Sequence, residues 1–293
     1  MYLIILGNGF DIANGYKTSY ENFVACSYFE NLLSSNDLVK EIKNKYGIQN
    51  WVDVELEIAN YSNQLYKKYN GCIPKEVNDK FKNDFYELRT GLNNFIIDAE
   101  SYCYRTSQPK MEELVSYWKS RLLFENKKAF VISFNYLKRE YLFFEKEINS
   151  QNLFINNHMC CIHGTVSSFE NKIVLGVDET NIKCKEHAFL VKSFDKNTNV
   201  RGYFDYIDHY DRIVIFGTSL GDTDYRYYKP LFYNSKNKKY EIYCYGEEEY
   251  LKICSQINKY IGKDKNLFYD NNDIIFYDSS KYDYPIIKFS ILM

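Results

Sequence analysis

Proline and glycine are scarce, at 4 and 13 of 293 residues, so no Pro- or Gly-rich linker divides the chain. Charge of one sign is lacking too: 37 Lys and Arg balance 39 Asp and Glu, for a net charge of −2. No global field therefore draws the chain onto nucleic acid, and no direct nucleic-acid partner is expected. No apolar run reaches the roughly 18 residues a membrane span needs, so no membrane association is expected. The amino terminus enters an apolar run directly, without the basic start and small-residue cleavage site of a signal peptide, and the expected location is cytoplasmic. None of the 8 cysteines (Cys26, Cys72, Cys103, Cys160, Cys161, Cys184, Cys244, Cys254) lies three residues from another. Without a C-x-x-C pair no metal site is expected, and in a reducing compartment the cysteines read as buried small apolar residues.

The chain is rich in aromatics, with 30 Tyr and 21 Phe; with abundant Asn, Lys and Ile this reads as drift in an A- and T-rich chromosome. Short, continuous apolar runs recur at 2–6, 129–134, 173–175, 212–216, 240–245 and 274–277. Continuous rather than alternating runs are how strands covered on both faces read. Amphipathic stretches at about 136–149, 186–209, 224–233 and 247–261 separate them. That alternation predicts an α/β fold with a doubly wound, mainly parallel, Rossmann-like sheet. Helical patterns near 19–33, 51–69, 75–104 and 110–124 break the rhythm, with Pro74 and Pro109 placed where helices begin. One domain spanning 1–293, with a helical lobe inserted at about 20–125, is expected.

Five constellations carry chemistry. Gly7-Asn8-Gly9-Phe10-Asp11 follows the first strand. Its glycines let a backbone approach a phosphate, although Ile12 stands where the dinucleotide fingerprint has a third glycine. A tight strand-to-helix turn accounts for the segment equally well. Asn135 ends the second strand in Phe134-Asn135-Tyr136, where it either orients a ribose hydroxyl or caps a helix. His163, in Ile162-His163-Gly164, is suited to general-base work or to packing; His158, His187 and His209 read as surface residues. Gly217-Thr218-Ser219-Leu220-Gly221-Asp222 is a second small-residue loop after a strand, leading to Thr223 and Asp224. In Trp51-Val52-Asp53-Val54-Glu55, Trp51 and Glu55 share a helix face but Asp53 does not; Glu55 either reaches into a cleft beneath the lobe or, the preferred reading, is a solvated charge.

Taken in order, Gly7/Gly9, Asn135, His163-Gly164 and Gly217-Thr218-Ser219-Leu220 resemble the sirtuin-like superfamily. Within it, Leu3 to Asp11, Thr18-Ser19-Tyr20, Trp51-x-Asp53-x-Glu55, Phe134-Asn135-Tyr136 and the loop from Gly217 to Asp224 are similar to the bacterial abortive-infection family AbiH. The resemblance runs from residue 2 to about residue 233. It implies binding of NAD as substrate, with no cofactor required, and cleavage of its nicotinamide–ribose bond. Asn135 would position water and ribose, and His163 would act as base on a ribose hydroxyl. Gly7, Asn8, Gly9, Phe10, Asp11, Gly217, Thr218, Ser219 and Asp222 would hold the nucleotide. The zinc cysteines that sirtuin deacetylases carry between His-Gly and Gly-Thr-Ser are missing, since that interval holds only Cys184. This favours an NAD hydrolase that depletes host NAD during phage infection over a protein deacylase or ADP-ribosyl transferase. Such an enzyme needs restraint, through a homo-oligomer, a separate sensor protein or a small-molecule trigger. The alternative is a non-enzymatic sensor that binds NAD, ADP-ribose or a related signal nucleotide, for which His163 is dispensable.

Overall fold

The computed structural model describes residues 1–45, 51–103, 109–137, 153, 160–166, 173–198, 208–233, 235–263 and 265–280. Strand β1 (Tyr2–Leu6) is five apolar residues, all buried. It lies between β2 (Ala129–Ser133) and β4 (Arg212–Phe216), parallel to both, with Leu6 level with Ser133 and Phe216. Edge strand β3 (Cys160–Cys161) extends the sheet beyond β2, and β5 (Lys239–Cys244) and β6 (Asp273–Asp278) extend it beyond β4. The order is β3-β2-β1-β4-β5-β6, parallel throughout. Chain direction across the sheet reverses at the β1/β4 boundary, and in such folds the crevice beyond the carboxyl ends of those strands takes ligands.

Alternation along β1 explains why the run is continuous. Leu3 and Ile5 face a core with Tyr227, Leu231, Ile253 and Ile257, whereas Tyr2, Ile4 and Leu6 face Leu114, Val115, Trp118 and Leu122. Helices α8 (Tyr225–Phe232) and α9 (Gly246–Ile261) supply the first set, and α7 (Pro109–Phe124) the second. Both faces of the sheet are therefore covered.

Between β1 and β2 the chain is helical: α1 (Asn8–Ala13), α2 (Tyr20–Val24), α3 (Ser27–Leu32), α4 (Asp37–Asn44), α5 (Trp51–Lys68), α6 (Lys75–Cys103), and then α7. Helices α2 to α6 build a separate apolar core around Phe23, Phe29, Ile58, Phe85 and Leu92. The pattern at 19–33 divides because Ala25-Cys26 ends one helix and starts the next. Three elements are new: α4, eight residues with a buried face of Leu38, Val39 and Ile42; the two-residue β3; and the short α10 (Lys265–Asn271).

Three expectations change. Residues 173–175 are buried but form no strand: the Val174 N–H donates to the His163 carbonyl at 2.7 Å, and only Val177 bridges, to Val191. Of the stretch expected as a helix at 186–209, the part up to Thr198 holds two short 3₁₀ turns, Lys185–Leu190 and Lys192–Phe194, and 199–207 lie outside the described residues. Cys72 is exposed, and Cys26, Cys161 and Cys254 are half-buried, so the cysteines are not uniformly core residues. The helix expected at 136–149 falls largely outside the described residues, as does His158.

Candidate nucleotide cleft

The loops that leave β1 and β4 rest on one another. Gly7 N–H donates to the Phe216 carbonyl at 2.9 Å, and Gly9 N–H to the Gly217 carbonyl at 2.7 Å. A Cβ on Gly7 would lie 2.5 Å from the Gly217 carbonyl oxygen, and one on Gly9 would lie 2.6 Å from the Gly217 Cα. Gly217 has φ of +68°, and a Cβ there would meet the Phe10 nitrogen at 2.3 Å. These glycines are required by loop-on-loop packing, whatever ligand the cleft accepts.

Beyond the β2 and β3 ends stands a buried polar group. Asn135 donates through Nδ2 to the Gly7 carbonyl at 3.0 Å and to Asp11 Oδ1 at 3.2 Å, tying the end of β2 to the first loop. His163 Nε2 meets Asp224 Oδ1 at 2.9 Å. Lys192 Nζ lies 3.0 Å from the same Asp224 oxygen and 2.8 Å from the Glu55 carboxylate. All four of these side chains are buried. Lys192 is aimed by its backbone: Val177 N–H donates to Leu190 and Lys192 N–H returns to Val177, pinning the segment beside the sheet.

The charges of this group are mutually dependent. Burial alone would raise the Asp224 carboxyl, but His163 and Lys192 beside it hold it well below the usual carboxylate range. Burial raises Glu55, opposed by Lys192 and assisted by Asp224. Burial would lower Lys192, yet its two carboxylates raise it. An ionised Asp224 can only accept, so the bond between them is donated by His163 Nε2–H. Tyr136 is driven well above the ordinary phenol range by burial, then by Glu55 and Asp224. Two expectations are corrected here. Glu55 is no solvated charge, because α5 turns it inward onto Lys192. His187 is no surface residue either: it is fully buried, 2.7 Å from Ser62 Oγ and 2.8 Å from Asn78 Oδ1, while His209 is exposed.

These parts enclose one cavity of about 550 Å³, within the usual size range of small-molecule sites. It is lined by Gly7, Asn8, Gly9 and Asp11 from the first loop and by Asn135 and His163 beyond β2 and β3. Gly217, Thr218, Ser219 and Asp224 line it from the second loop. Trp51 and Glu55 approach from α5, and Tyr243, Tyr245 and Glu249 close the far end. Two nominated residues stand outside it. Phe10 is buried in the core edge-on to Phe216, with ring centroids 5.6 Å apart, and Asp222 pairs with Lys259 at 2.5 Å. Asp53 is not among the lining residues. Lys192 and the far-end residues escaped sequence reading: a lysine in an amphipathic stretch looks solvated, and Tyr243 and Tyr245 look like ordinary strand residues. Among the described residues no cluster of His, Cys, Asp or Glu is arranged to hold a metal ion, and no helix is long and apolar enough to cross a membrane.

An all-parallel doubly wound sheet with a cleft across its switch point makes this a Rossmann-like α/β protein. Residues 3–245 match the family model described as bacteriophage abortive infection AbiH, and the chain belongs to that family. No curated protein and no solved structure matches it.

Proposed function

We propose that the cleft binds NAD⁺ and hydrolyses its nicotinamide–ribose bond, and that the chain serves abortive infection by depleting the host's NAD. One observation carries this reading: Asn135 and His163 meet the Gly7–Gly9 and Gly217–Ser219 loops around a single cavity. Residues far apart in sequence are gathered at the place where doubly wound folds take dinucleotides.

In the proposed reaction the C1′–nitrogen bond breaks and its electron pair leaves with neutral nicotinamide. A water oxygen then bonds to C1′ and loses a proton, giving ADP-ribose. The ribose becomes oxocarbenium-like on the way. Asp11, Glu55 and Asp224 put three carboxylates on the cavity wall against the single buried ammonium of Lys192, and Lys and Arg are absent from its lining among the described residues. Fixed anions beside a developing cation favour the transition state more than the ground state. His163 Nδ1 takes the proton of a ribose hydroxyl and returns it once water has added, the water's proton passing to solvent, with Asp224 holding the imidazole by its other nitrogen. Asn135 fixes the first loop against the ribose. The diphosphate lies along Asn8, Thr218 and Ser219, without a cationic side chain.

The test is nicotinamide release by the full chain, together with cellular NAD after induction and phage challenge. Release that disappears in His163→Ala, with ADP-ribose as co-product, supports the reading. Tight NAD⁺ binding without release under phage challenge favours a nucleotide sensor instead. Undiminished toxicity of His163→Ala would also remove the hydrolase reading.

A further inference from the structure

The far end of the cleft has a chemistry of its own. There Tyr243, Tyr245, Ile253, Glu249 and Ser279 line the cavity beyond β5 and β6. The Tyr243 ring is held between Tyr277, stacked at 4.8 Å, and Phe216, tilted at 5.2 Å. Tyr245, which is exposed, and Ile253 supply apolar surface there, suited to a base, while the buried Tyr243 is packed between its two aromatic neighbours.

Helix α9 starts at this end, and a helix start ordinarily favours an anion. Here that capacity is already used. Gly246 N–H donates to Asp278 Oδ1 at 3.1 Å, and Ser280 N–H donates to the same oxygen at 3.0 Å. The first turn then adds Glu247, Glu248 and Glu249. Ser279 gives its N–H and hydroxyl to the Cys244 carbonyl at 2.7 and 3.0 Å. Lys252 pairs with Glu248 at 2.8 Å, leaving Glu249 as the carboxylate on the cavity side. Burial raises the Glu249 carboxyl, consistent with a group turned partly out of water. A phosphate placed here would meet carboxylates, and Lys252, the cation beside them, is already paired with Glu248. A pair of vicinal hydroxyls would meet an acceptor.

We infer that this end takes a nucleoside whose ribose hydroxyls are free, with Glu249 accepting them, and rejects a ribose that carries a 2′-phosphate. The inference rests on the dinucleotide reading and narrows its substrate to NAD⁺ as against NADP⁺.

Calorimetry on the full chain tests it with NAD⁺, NADP⁺ and two ligands that have no nicotinamide to lose, ADP-ribose and ADP-ribose 2′-phosphate. Each 2′-phosphorylated ligand should bind at least about tenfold more weakly than its partner. Glu249→Arg should shrink that ratio by roughly tenfold or invert it, since an arginine accommodates a 2′-phosphate. Glu249→Gln should weaken ADP-ribose while leaving the thermal midpoint near wild type, because the side chain is only half-buried. Equal binding of the two classes, or a ratio untouched in Glu249→Arg, overturns the selectivity and leaves the dinucleotide reading standing. Failure of all four ligands to bind removes both.

Discussion

Lys192 and Asp224 share one oxygen with a third residue: the Lys192 ammonium stands 3.0 Å from Asp224 Oδ1, the atom that also holds His163 Nε2 at 2.9 Å. Through its other contact, 2.8 Å to Glu55, Lys192 joins the helical lobe to the sheet. The histidine proposed to do the chemistry is thus oriented by a carboxylate whose charge is balanced from the lobe.

Removing that balance should be expensive. Lys192→Met leaves two buried carboxylates facing one another, and loss of one partner from a buried ion pair typically costs about 3–5 kcal/mol. The double variant Lys192→Met/Glu55→Gln should recover part of the loss, and urea unfolding of the two singles and the double gives the coupling. Full additivity would show that Lys192 and Glu55 do not interact.

Asp224→Asn tests orientation rather than charge balance alone. The amide cannot hold the Nε2 proton as a carboxylate does, so nicotinamide release should fall by about 10²–10⁴-fold, the usual range for a disabled general base. NAD⁺ affinity should change far less. A parallel collapse of affinity and rate would assign Asp224 to ligand binding.

The contact between the two loops predicts a ranking of glycine variants. Gly217→Ala combines a φ of +68° with a Cβ 2.3 Å from the Phe10 nitrogen. Gly246→Ala has a φ of +76° but meets nothing within 4 Å. Backbone strain alone costs about 1–3 kcal/mol, so both should melt lower and Gly217→Ala markedly more so. Equal melting temperatures would mean that the loops can separate freely.

His187 gives stability a dependence on mild acid. Burial lowers its pKa, so the unfolded chain binds a proton more readily than the folded one. Its contribution is complete above the unfolded value of about 6.5 and is lost as pH falls from there toward the folded value. Unfolding free energies measured from pH 7.5 down to 5 should decline, and His187→Gln, which cannot titrate, should flatten that decline. An unchanged slope would reassign it to other groups.

Buried carboxylates act further down the scale. Glu241 on β5 is fully buried, takes two bonds from Arg121 at 2.8 and 2.9 Å, and pairs also with Arg212. Burial would raise its carboxyl, but the two guanidinium groups hold it low. Its stabilisation is present above the unfolded carboxyl value of about 4.3 and lost as pH falls through the depressed folded value. Glu241→Gln should therefore be less stable than the parent at pH 7, with the gap narrowing below about pH 4. A gap that stays constant on acidification would contradict the linkage.

Continuity of apolar residues made five of the strands legible, because burial on both faces leaves a plain signal in a single segment. At 173–175 the same signal misled: Ile173 and Leu175 are buried against the lobe's core rather than by strand pairing. Asn135, His163 and the two glycine loops were legible as motifs. Lys192 was not, since what distinguishes it from a solvated lysine is the burial of Glu55 and Asp224 around it, a property of the folded chain. Phe10 shows the opposite error: it adjoins Gly9 in sequence, yet the helical turn carries it into the core.

The central place of β1 has a consequence for the order of assembly. Strand β1 pairs with β2 and β4, whose first residues are Ala129 and Arg212, so both of its neighbours lie far from it in sequence. Such distant pairings form late. Glu55 waits in the same way for Lys192, and His163 for Asp224. A chain cut before Asp224 holds the earlier motifs without their shared carboxylate, and only a copy that includes it brings His163, Lys192 and Glu55 together.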